Sequence, residues 1–79
     1  MRATIDNVCI RGCEEKDGRN GKYLLVRYED ETGKAEELVD KDLTRATFYK
    51  RDTLGKLHIR IDRGKQFTNI SITDFEIQQ

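Results

Sequence analysis

Few residues of this chain are of the types that catalyse reactions or hold metal ions. Ser71 is the only serine and His58 the only histidine, and no phosphate-binding loop, nucleophile elbow or zinc-protease motif is present. Cys9 and Cys13 lack the further ligands that a zinc site requires. On one strand their spacing separates them by roughly 13 Å, too far for a disulfide. We therefore expect free thiols, no cofactor or metal, and no enzymatic activity.

A different chemistry is indicated by basic residues interleaved with aromatic ones. Single-stranded nucleic acid requires cations that neutralise phosphates and exposed rings that stack on bases. The candidate nucleic-acid-binding residues are Tyr23, Arg27, Tyr49, Lys50, Arg51, Lys56, His58, Arg60, Arg63 and Lys65. Tyr23 and Tyr49 are the two rings predicted at the surface. The other rings, Tyr28, Phe48 and Phe67, are predicted to belong to the core.

Positive charge is concentrated in one part of a chain whose net charge is zero. Residues 1–40 carry seven basic and ten acidic groups, whereas residues 41–65 carry eight basic and three acidic groups. An excess of this size can steer an anion, although a solvated surface of mixed charge gives the same pattern. Acidic clusters at 14–15, 29–31 and 36–37 lack the spacing of a calcium-binding loop, so solvated turns are expected there.

The length and composition limit the chain to one small domain. It has 79 residues, of which 38 % are charged and 35 % hydrophobic, which leaves room for a small core and no deep cleft. No segment approaches the roughly 20 apolar residues of a membrane span, and residues 1–6 do not resemble a signal peptide. We expect a cytosolic protein that does not contact membranes.

Period-two alternation of apolar and polar residues predicts five strands. They cover about residues 3–13, 22–29, 34–40, 55–62 and 66–77. The phase slip after Ile5 predicts a β-bulge or a strongly coiled strand, and two slips within the last strand predict bulges or a bend. Between the third and fourth strands, residues 40–53 are ambiguous. A helical turn capped by Asp40 or Asp42 is one possibility, and extended structure at residues 47–49 is the other.

Five short strands, each with one face to bury, favour a closed barrel over a sandwich. An OB-fold and an SH3-like barrel both fit the pattern, and the insert before the fourth strand favours an all-β, five-stranded OB-like barrel over residues 1–79. His58 and Arg60 should point outward. The predicted core residues are Leu24, Val26, Leu57, Ile59, Ile61, Ile70 and Ile72.

Three segments together make the chain resemble a known group of proteins. They are residues 21–26 (Gly-Lys-Tyr-Leu-Leu-Val), residues 32–34 (Thr-Gly-Lys) and residues 55–62 (Gly-Lys-Leu-His-Ile-Arg-Ile-Asp). With the size and element order, they resemble the small OB proteins of the filamentous-phage gene V type, which coat single-stranded DNA in phages and mobile elements. The resemblance implies a homodimer and contacts from Tyr23, Arg27 and residues 49–51. Those proteins are more basic, so a net charge of zero implies lower affinity here.

Two functions from different classes remain open at this point. The first is a non-enzymatic module that binds single-stranded DNA or RNA in phage or mobile-element biology. The second is a small barrel that binds another protein and no nucleic acid. The two differ in surface geometry, because the first requires the basic groups of residues 41–65 and two exposed rings to line one groove.

Overall fold

The alternating pattern produces five strands in the computed structural model, which describes residues 1–78. The strands are β1 (Arg2–Gly18), β2 (Gly21–Glu29), β3 (Ala35–Asp40), β4 (Leu54–Arg63) and β5 (Thr68–Ile77). A 3-10 helix, Leu43–Phe48, joins β3 to β4. All five predicted strands are present. β1 is longer than predicted, because residues 14–18, which were expected in a turn, continue the strand.

The five strands close into an OB-like barrel in the order β1-β2-β3-β5-β4. β1 is shared between two neighbours, since its first half pairs with β4 and its second half with β2. All neighbours are antiparallel except β3 and β5. That one parallel contact consists of the pairs Val39–Ser71 and Asp40–Ile72. The predicted fold class, a small all-β barrel, is confirmed.

Two of the register shifts lie where the hydrophobic phase slips in the sequence, and a third, between Ile10 and Gly12, does not. In β1 the register with β4 breaks between Ile5 and Val8, and Asn7 there has a φ of 54°. In β5 the register breaks opposite His58 and Ile59, so Thr73 is the extra residue, and its hydroxyl donates a hydrogen bond to the His58 carbonyl at 3.2 Å. An extra residue bends a strand and increases its twist. The bulges therefore give the strands the curvature that a closed barrel of this size needs.

The connector between β3 and β4 resolves the ambiguity of residues 40–53. Asp42 is the N-cap of the 3-10 helix, and its carboxylate accepts a hydrogen bond from the Thr44 amide. The helix continues through Phe48, so the extended alternative at residues 47–49 is wrong. No helix among residues 1–78 combines the length and the apolar character needed to cross a bilayer.

The barrel interior confirms most of the predicted core. Five of the seven predicted residues are buried, and Ile61 is half-buried against the others. Ile70 is 40 % exposed, because β3 no longer pairs with β5 at that level and leaves it uncovered. Phe48 and Phe67, which were expected inside, are 42 % and 72 % exposed. They lie at the end of the helix and in the β4–β5 turn, where no strand covers them.

Gly55 and Gly12 differ in the space around them. A Cβ at Gly55 would lie 2.6 Å from the Phe75 ring and closer still to the Glu76 backbone oxygen, whereas a Cβ at Gly12 would meet nothing within 4 Å. The Phe75 ring is buried and stacks on Tyr49, so it has little room to move. We expect Gly55→Ala to lower the free energy of unfolding by about 1–3 kcal/mol.

The matched control is Gly12→Ala, for which we expect a change within about 0.5 kcal/mol. Urea denaturation followed by circular dichroism measures both variants. Equal effects at the two positions would contradict the packing of β4 against Phe75.

Candidate nucleic-acid interface

An open groove crosses the outer surface of the barrel from the β1–β2 turn to the first half of β5. Its first part, about 320 Å³, is lined by residues 18–23 with Val39 and Lys41. Its second part, about 270 Å³, is lined by Val39, Lys41, Asp62 and residues 69–71. Because Val39 and Lys41 line both parts, the two adjoin at the end of β3. We call this surface the groove.

One wall of the groove is the projecting tip of the β1–β2 hairpin. β1 and β2 pair as far as Gly18 and Gly21, but the ladder between β2 and β3 begins only at Leu24. The tip therefore extends beyond the rest of the sheet. A Cβ on Gly18 would lie 3.1 Å from the Tyr23 ring, so the absence of a side chain lets this half-buried ring pack against the turn. The hairpin thus holds Tyr23 at the wall of the groove.

The groove is positively charged although the whole chain is neutral. Arg19, Lys22 and Lys41 line it, and the one lining carboxylate, Asp62, is bound to Arg60 at 3.1 Å. Lys22 lies 3.7 Å from Glu15. Within residues 1–78, Arg19 and Lys41 form no ion pair. An incoming anion would therefore not have to displace a carboxylate from these two cations.

The β4–β5 turn brings two predicted residues and an exposed ring to the far end of the groove. Arg63 pairs with Thr68, one step beyond the Asp62–Asn69 pair that lines the groove. Lys65 follows in the turn, and neither cation forms an ion pair within the described part of the chain. Phe67 is exposed in the same turn. Arg63 and Lys65 are thus predicted site residues that follow Asp62 in the chain at the far end of the groove, although neither lines it.

Arg27 shares the outer face of β2 with Tyr23, but carboxylates neutralise its charge. Its guanidinium lies 3.3 Å from Glu14 and 3.5 Å from Glu37, on the two flanking strands. The pKa of Glu14 is lowered, mainly by its hydrogen bond to Lys16 and further by the positive charges of Lys16 and Arg27. Arg27 therefore belongs to a network of surface ion pairs and is not available for a phosphate without displacing these partners.

The predicted residues on the outer face of β4 are also paired. Lys56 lies 3.6 Å from Asp6, and His58 lies 3.1 Å from Glu76. Arg60 is bound to Asp62. His58 is half-buried and Arg60 exposed, and both side chains point away from the core as predicted. None of these three side chains lines the groove.

Lys50 and Arg51 are exposed on the connector that follows the helix. Backbone hydrogen bonds from Ile10 to Thr53 and from Asp52 to Ile10 hold this connector against β1. Ile10 pairs with Tyr28, near the end of β2 that is opposite the hairpin tip. The fold therefore does not bring Lys50 and Arg51 to the groove.

The prediction that Tyr49 offers a ring for base stacking is wrong. Its side chain is 3 % exposed, and its ring stacks on the buried Phe75 with centroids 5.3 Å apart. Its hydroxyl donates a hydrogen bond to Asp40. The 3-10 helix turns this residue inward, whereas an extended segment would have allowed the ring to face solvent.

A fully buried carboxylate, that of Asp40, anchors the end of β3 beside the groove. Arg45 donates to it from Nε at 2.7 Å and from Nη2 at 3.0 Å, and the Asp42 amide donates at 2.9 Å. With the Tyr49 hydroxyl, these donors satisfy both oxygens, and no buried side-chain polar atom within residues 1–78 lacks a partner. Asp40 immediately precedes Lys41, so this cluster also fixes the backbone from which Lys41 enters the groove.

The residues at or beside the groove that were not predicted from the sequence include Arg19, Lys22, Val39, Lys41, Phe67 and Ile70. Lys41 was counted in the basic segment, but its place at the end of β3 was not recognised as a site position. Arg19 lies in a turn between Asp-Gly and Asn-Gly pairs, which was interpreted only as a turn signal. Their position could have identified them, because residues just beyond the ends of strands lie together at the rim of a barrel.

The thiols and carboxylates show no arrangement that suits a metal ion. Cys9 and Cys13 are both free, as predicted, and both are half-buried. Burial is the main cause that raises the pKa of Cys13. Within residues 1–78 there is no group of three His, Cys, Asp or Glu side chains close enough to hold a metal.

Two buried tyrosines keep their protons at unusually high pH. Burial, aided by the hydrogen bond to Glu36, raises the pKa of Tyr28 to about 12. Burial and the hydrogen bond to Asp40 raise the pKa of Tyr49 well above that of a free phenol. An unfolded chain releases these protons near pH 10. The stability they contribute is therefore complete below pH 10 and decreases above it, and the contribution of Tyr28 is lost as the pH rises through 12.

Replacing Tyr49 with Phe tests this cluster. At pH 7 we expect Tyr49→Phe to lower the free energy of unfolding by about 1.5–3 kcal/mol, because it removes a hydrogen bond to a buried carboxylate. Above pH 10 the difference in free energy of unfolding between the wild type and the variant should decrease by about 1.4 kcal/mol per pH unit. The reason is that only the wild type loses the Tyr49 proton on unfolding. Urea denaturation from pH 7 to 11 measures this difference. A difference independent of pH would contradict the account of Tyr49.

Comparisons of the chain with protein-family models, with curated proteins and with solved structures return no match. Function is therefore inferred from the groove itself, which Lys41 alone among the cations of residues 41–65 lines. Its decisive features are the unpaired Arg19 and Lys41, the Tyr23 ring and the exposed Ile70.

Proposed function

We propose that this barrel is a non-enzymatic module that binds single-stranded nucleic acid in the groove. The observation that carries the proposal is the distribution of ion pairs. The cations on the outer faces of β2 and β4 are matched with carboxylates, whereas Arg19 and Lys41 in the groove are not. In OB-folds the face of strands two and three, with the loops between strands one and two and between four and five, binds oligonucleotides.

The shape and chemistry of the groove suit a flexible polyanion better than a compact ligand. The groove is open, so a chain can enter and leave at its two ends. Arg19, Lys22 and Lys41 would neutralise successive phosphates, with Arg63 and Lys65 continuing the positive track. Each neutralised phosphate releases a condensed counterion, which makes affinity depend on salt.

Bases would contact the apolar and aromatic side chains of the same surface. Tyr23 offers a half-buried ring at one wall, and Phe67 offers an exposed ring in the β4–β5 turn. Ile70 and Val39 add apolar contact between them. Stacking and phosphate pairing do not distinguish base edges, so sequence preference should be slight.

The proposal revises the set of binding residues. Tyr23, Arg63 and Lys65 keep their predicted role. Arg19, Lys22, Lys41 and Phe67 join them, with apolar contact from Val39 and Ile70. Tyr49 leaves the set because it is buried. The remaining predicted residues are paired or lie away from the groove, so we expect them to contribute little. The phage or mobile-element setting and the homodimer, which only the resemblance implies, stay predictions.

Fluorescence anisotropy with labelled dT12 and U12 across a salt series tests the proposal. Three to five phosphate contacts predict a slope of log affinity against log salt of roughly −2 to −3.5. Lys41→Gln should flatten this slope by about 0.7, because it removes one phosphate partner. Tyr23→Ala should weaken binding by about 1–3 kcal/mol at every salt concentration and leave the slope unchanged.

Two variants outside the groove serve as matched controls. Lys34→Gln removes a cation that is paired with Glu36 at 3.3 Å, and Phe48→Ala removes an exposed ring on the helix. Neither should change the affinity or the slope. The absence of binding to both oligonucleotides at 50 mM salt, with folded protein, would reject the proposal in favour of a protein-interaction module. Equal effects of Lys41→Gln and Lys34→Gln would reject the groove as the site.

A further inference from the structure

The tip of the β1–β2 hairpin contains an Asn-Gly pair that lies in the groove. Asn20 is exposed in the turn and lines the first part of the groove together with Arg19 and Lys22. The next residue, Gly21, is the first residue of β2 and has a φ of 116°, a conformation that glycine adopts without strain. The geometry of the turn therefore favours glycine immediately after Asn20.

An asparagine side chain is converted to a carboxylate when the backbone nitrogen of the following residue attacks it. The N–Cγ bond forms, the Cγ–Nδ2 bond breaks, and Nδ2 leaves as ammonia with the proton that the backbone nitrogen has lost. Water then adds to one of the two carbonyl carbons of the cyclic imide, and the C–N bond that breaks returns a proton to nitrogen. The product is aspartate or isoaspartate. The net reaction consumes one water and releases one ammonia, which is one reason why asparagine is thermolabile.

The structure leaves Asn20 open to this reaction. Gly21 has no side chain to hinder its nitrogen, and the surrounding space is open, since a Cβ there would meet nothing within 4 Å. Gly21 pairs with Gly18 at the end of the β1–β2 ladder, and the ladder with β3 begins only at Leu24. The end of a ladder that is supported on one side opens locally at low free-energy cost. Within residues 1–78, no hydrogen bond holds the Asn20 amide.

The other two asparagines of the chain are protected and serve as internal references. Asn7 is followed by the fully buried Val8, and its Nδ2 donates a hydrogen bond to Glu31 at 3.2 Å. Asn69 is followed by Ile70 and lies within the ladder between β4 and β5. A β-branched side chain next to the attacking nitrogen hinders its approach and stiffens the chain. The reaction should therefore be confined to Asn20.

We propose that Asn20 is a site of spontaneous deamidation, which places a carboxylate in the groove and weakens the binding of single-stranded nucleic acid. The second half of this inference rests on the proposed function of the groove. The groove is lined by three cations and one carboxylate, so a second carboxylate would halve its excess positive charge. One of those cations, Lys22, already lies 3.7 Å from Glu15. A groove with so few cations is sensitive to a single added negative charge.

The first measurement follows the modification itself and uses no nucleic acid. The full-length protein is incubated at pH 8 and 37 °C, and samples taken over one week are fragmented intact in a mass spectrometer. We expect a mass increase of one dalton at Asn20 and no change at Asn7 or Asn69. The variant Asn20→Gln should stay unmodified, because its longer side chain would have to form a six-membered imide. No mass increase at Asn20, or equal increases at all three asparagines, would overturn the proposal.

The second measurement tests the effect of the new charge on the groove by anisotropy with dT12 at 50 mM salt. We expect Asn20→Asp to bind roughly three- to tenfold more weakly than the fresh protein and to flatten the salt slope by about 0.7, because one carboxylate offsets one phosphate contact. The aged protein should lose at least as much affinity, since isoaspartate also lengthens the main chain of the turn. The matched control Gln78→Glu adds the same charge at an exposed residue outside the groove and should change the affinity less than about twofold.

The two measurements separate failure of this inference from failure of the proposed function. Unchanged dT12 binding by Asn20→Asp, or an equal loss in Gln78→Glu, would overturn the effect of the modification on binding. No binding of dT12 by the fresh protein would reject the groove as the nucleic-acid site, and the effect on binding with it. The mass increase at Asn20 would still decide whether this residue is the modification site.

Discussion

The buried carboxylate of Asp40 is the interaction on which the rest of this barrel depends. It lies at the last residue of β3, where that strand pairs with β5 through Val39–Ser71 and Asp40–Ile72. Its partner Arg45 lies in the helix, and its partner Tyr49 is the residue that follows the helix. One cluster therefore joins the end of β3, the pairing of β3 with β5 and the connector to β4. Removing the charged partner of a buried ion pair, here Arg45, costs about 3–5 kcal/mol. Closure of a core this small therefore depends on a polar cluster as well as on apolar packing.

The same cluster explains how a neutral protein presents a charged groove. The negative charge of Asp40 is neutralised by Arg45 inside the barrel. The next residue, Lys41, lies in the groove, and its side chain has no carboxylate partner. Elsewhere the antiparallel ladders place acids beside bases, as where Arg27 lies between Glu14 and Glu37. Uncompensated positive charge is therefore concentrated at strand ends and turns. Among the described residues, carboxylates without an ion pair remain in the β2–β3 turn, at Asp17 in the hairpin tip and at Asp74 in β5.

Strands and bulges, which depend on local periodicity, could be predicted from the sequence. Burial and ion pairing, which depend on neighbours across the sheet, could not. The alternation of Leu57, Ile59 and Ile61 was sufficient to identify β4, and the phase slip after Ile5 located a bulge. Tyr49 was misplaced because an aromatic ring followed by two cations looks the same in an extended segment and at the end of a 3-10 helix. Ile70 was placed in the core because periodicity does not reveal that β3 fails to cover it. The pairing of Arg27, Lys56 and Arg60 with carboxylates follows from cross-strand register, which alternation does not define.

The claim that the groove is the nucleic-acid site is tested most directly by an amide-resolved NMR titration with dT12 at low salt. The account predicts that the largest chemical-shift changes fall at residues 18–23, 39–41 and 69–71, the segments that line the groove. Residues 50–60, which include most of the cations first suggested by the sequence, should change little. Shifts centred on residues 50–60, with the groove unaffected, would contradict the account.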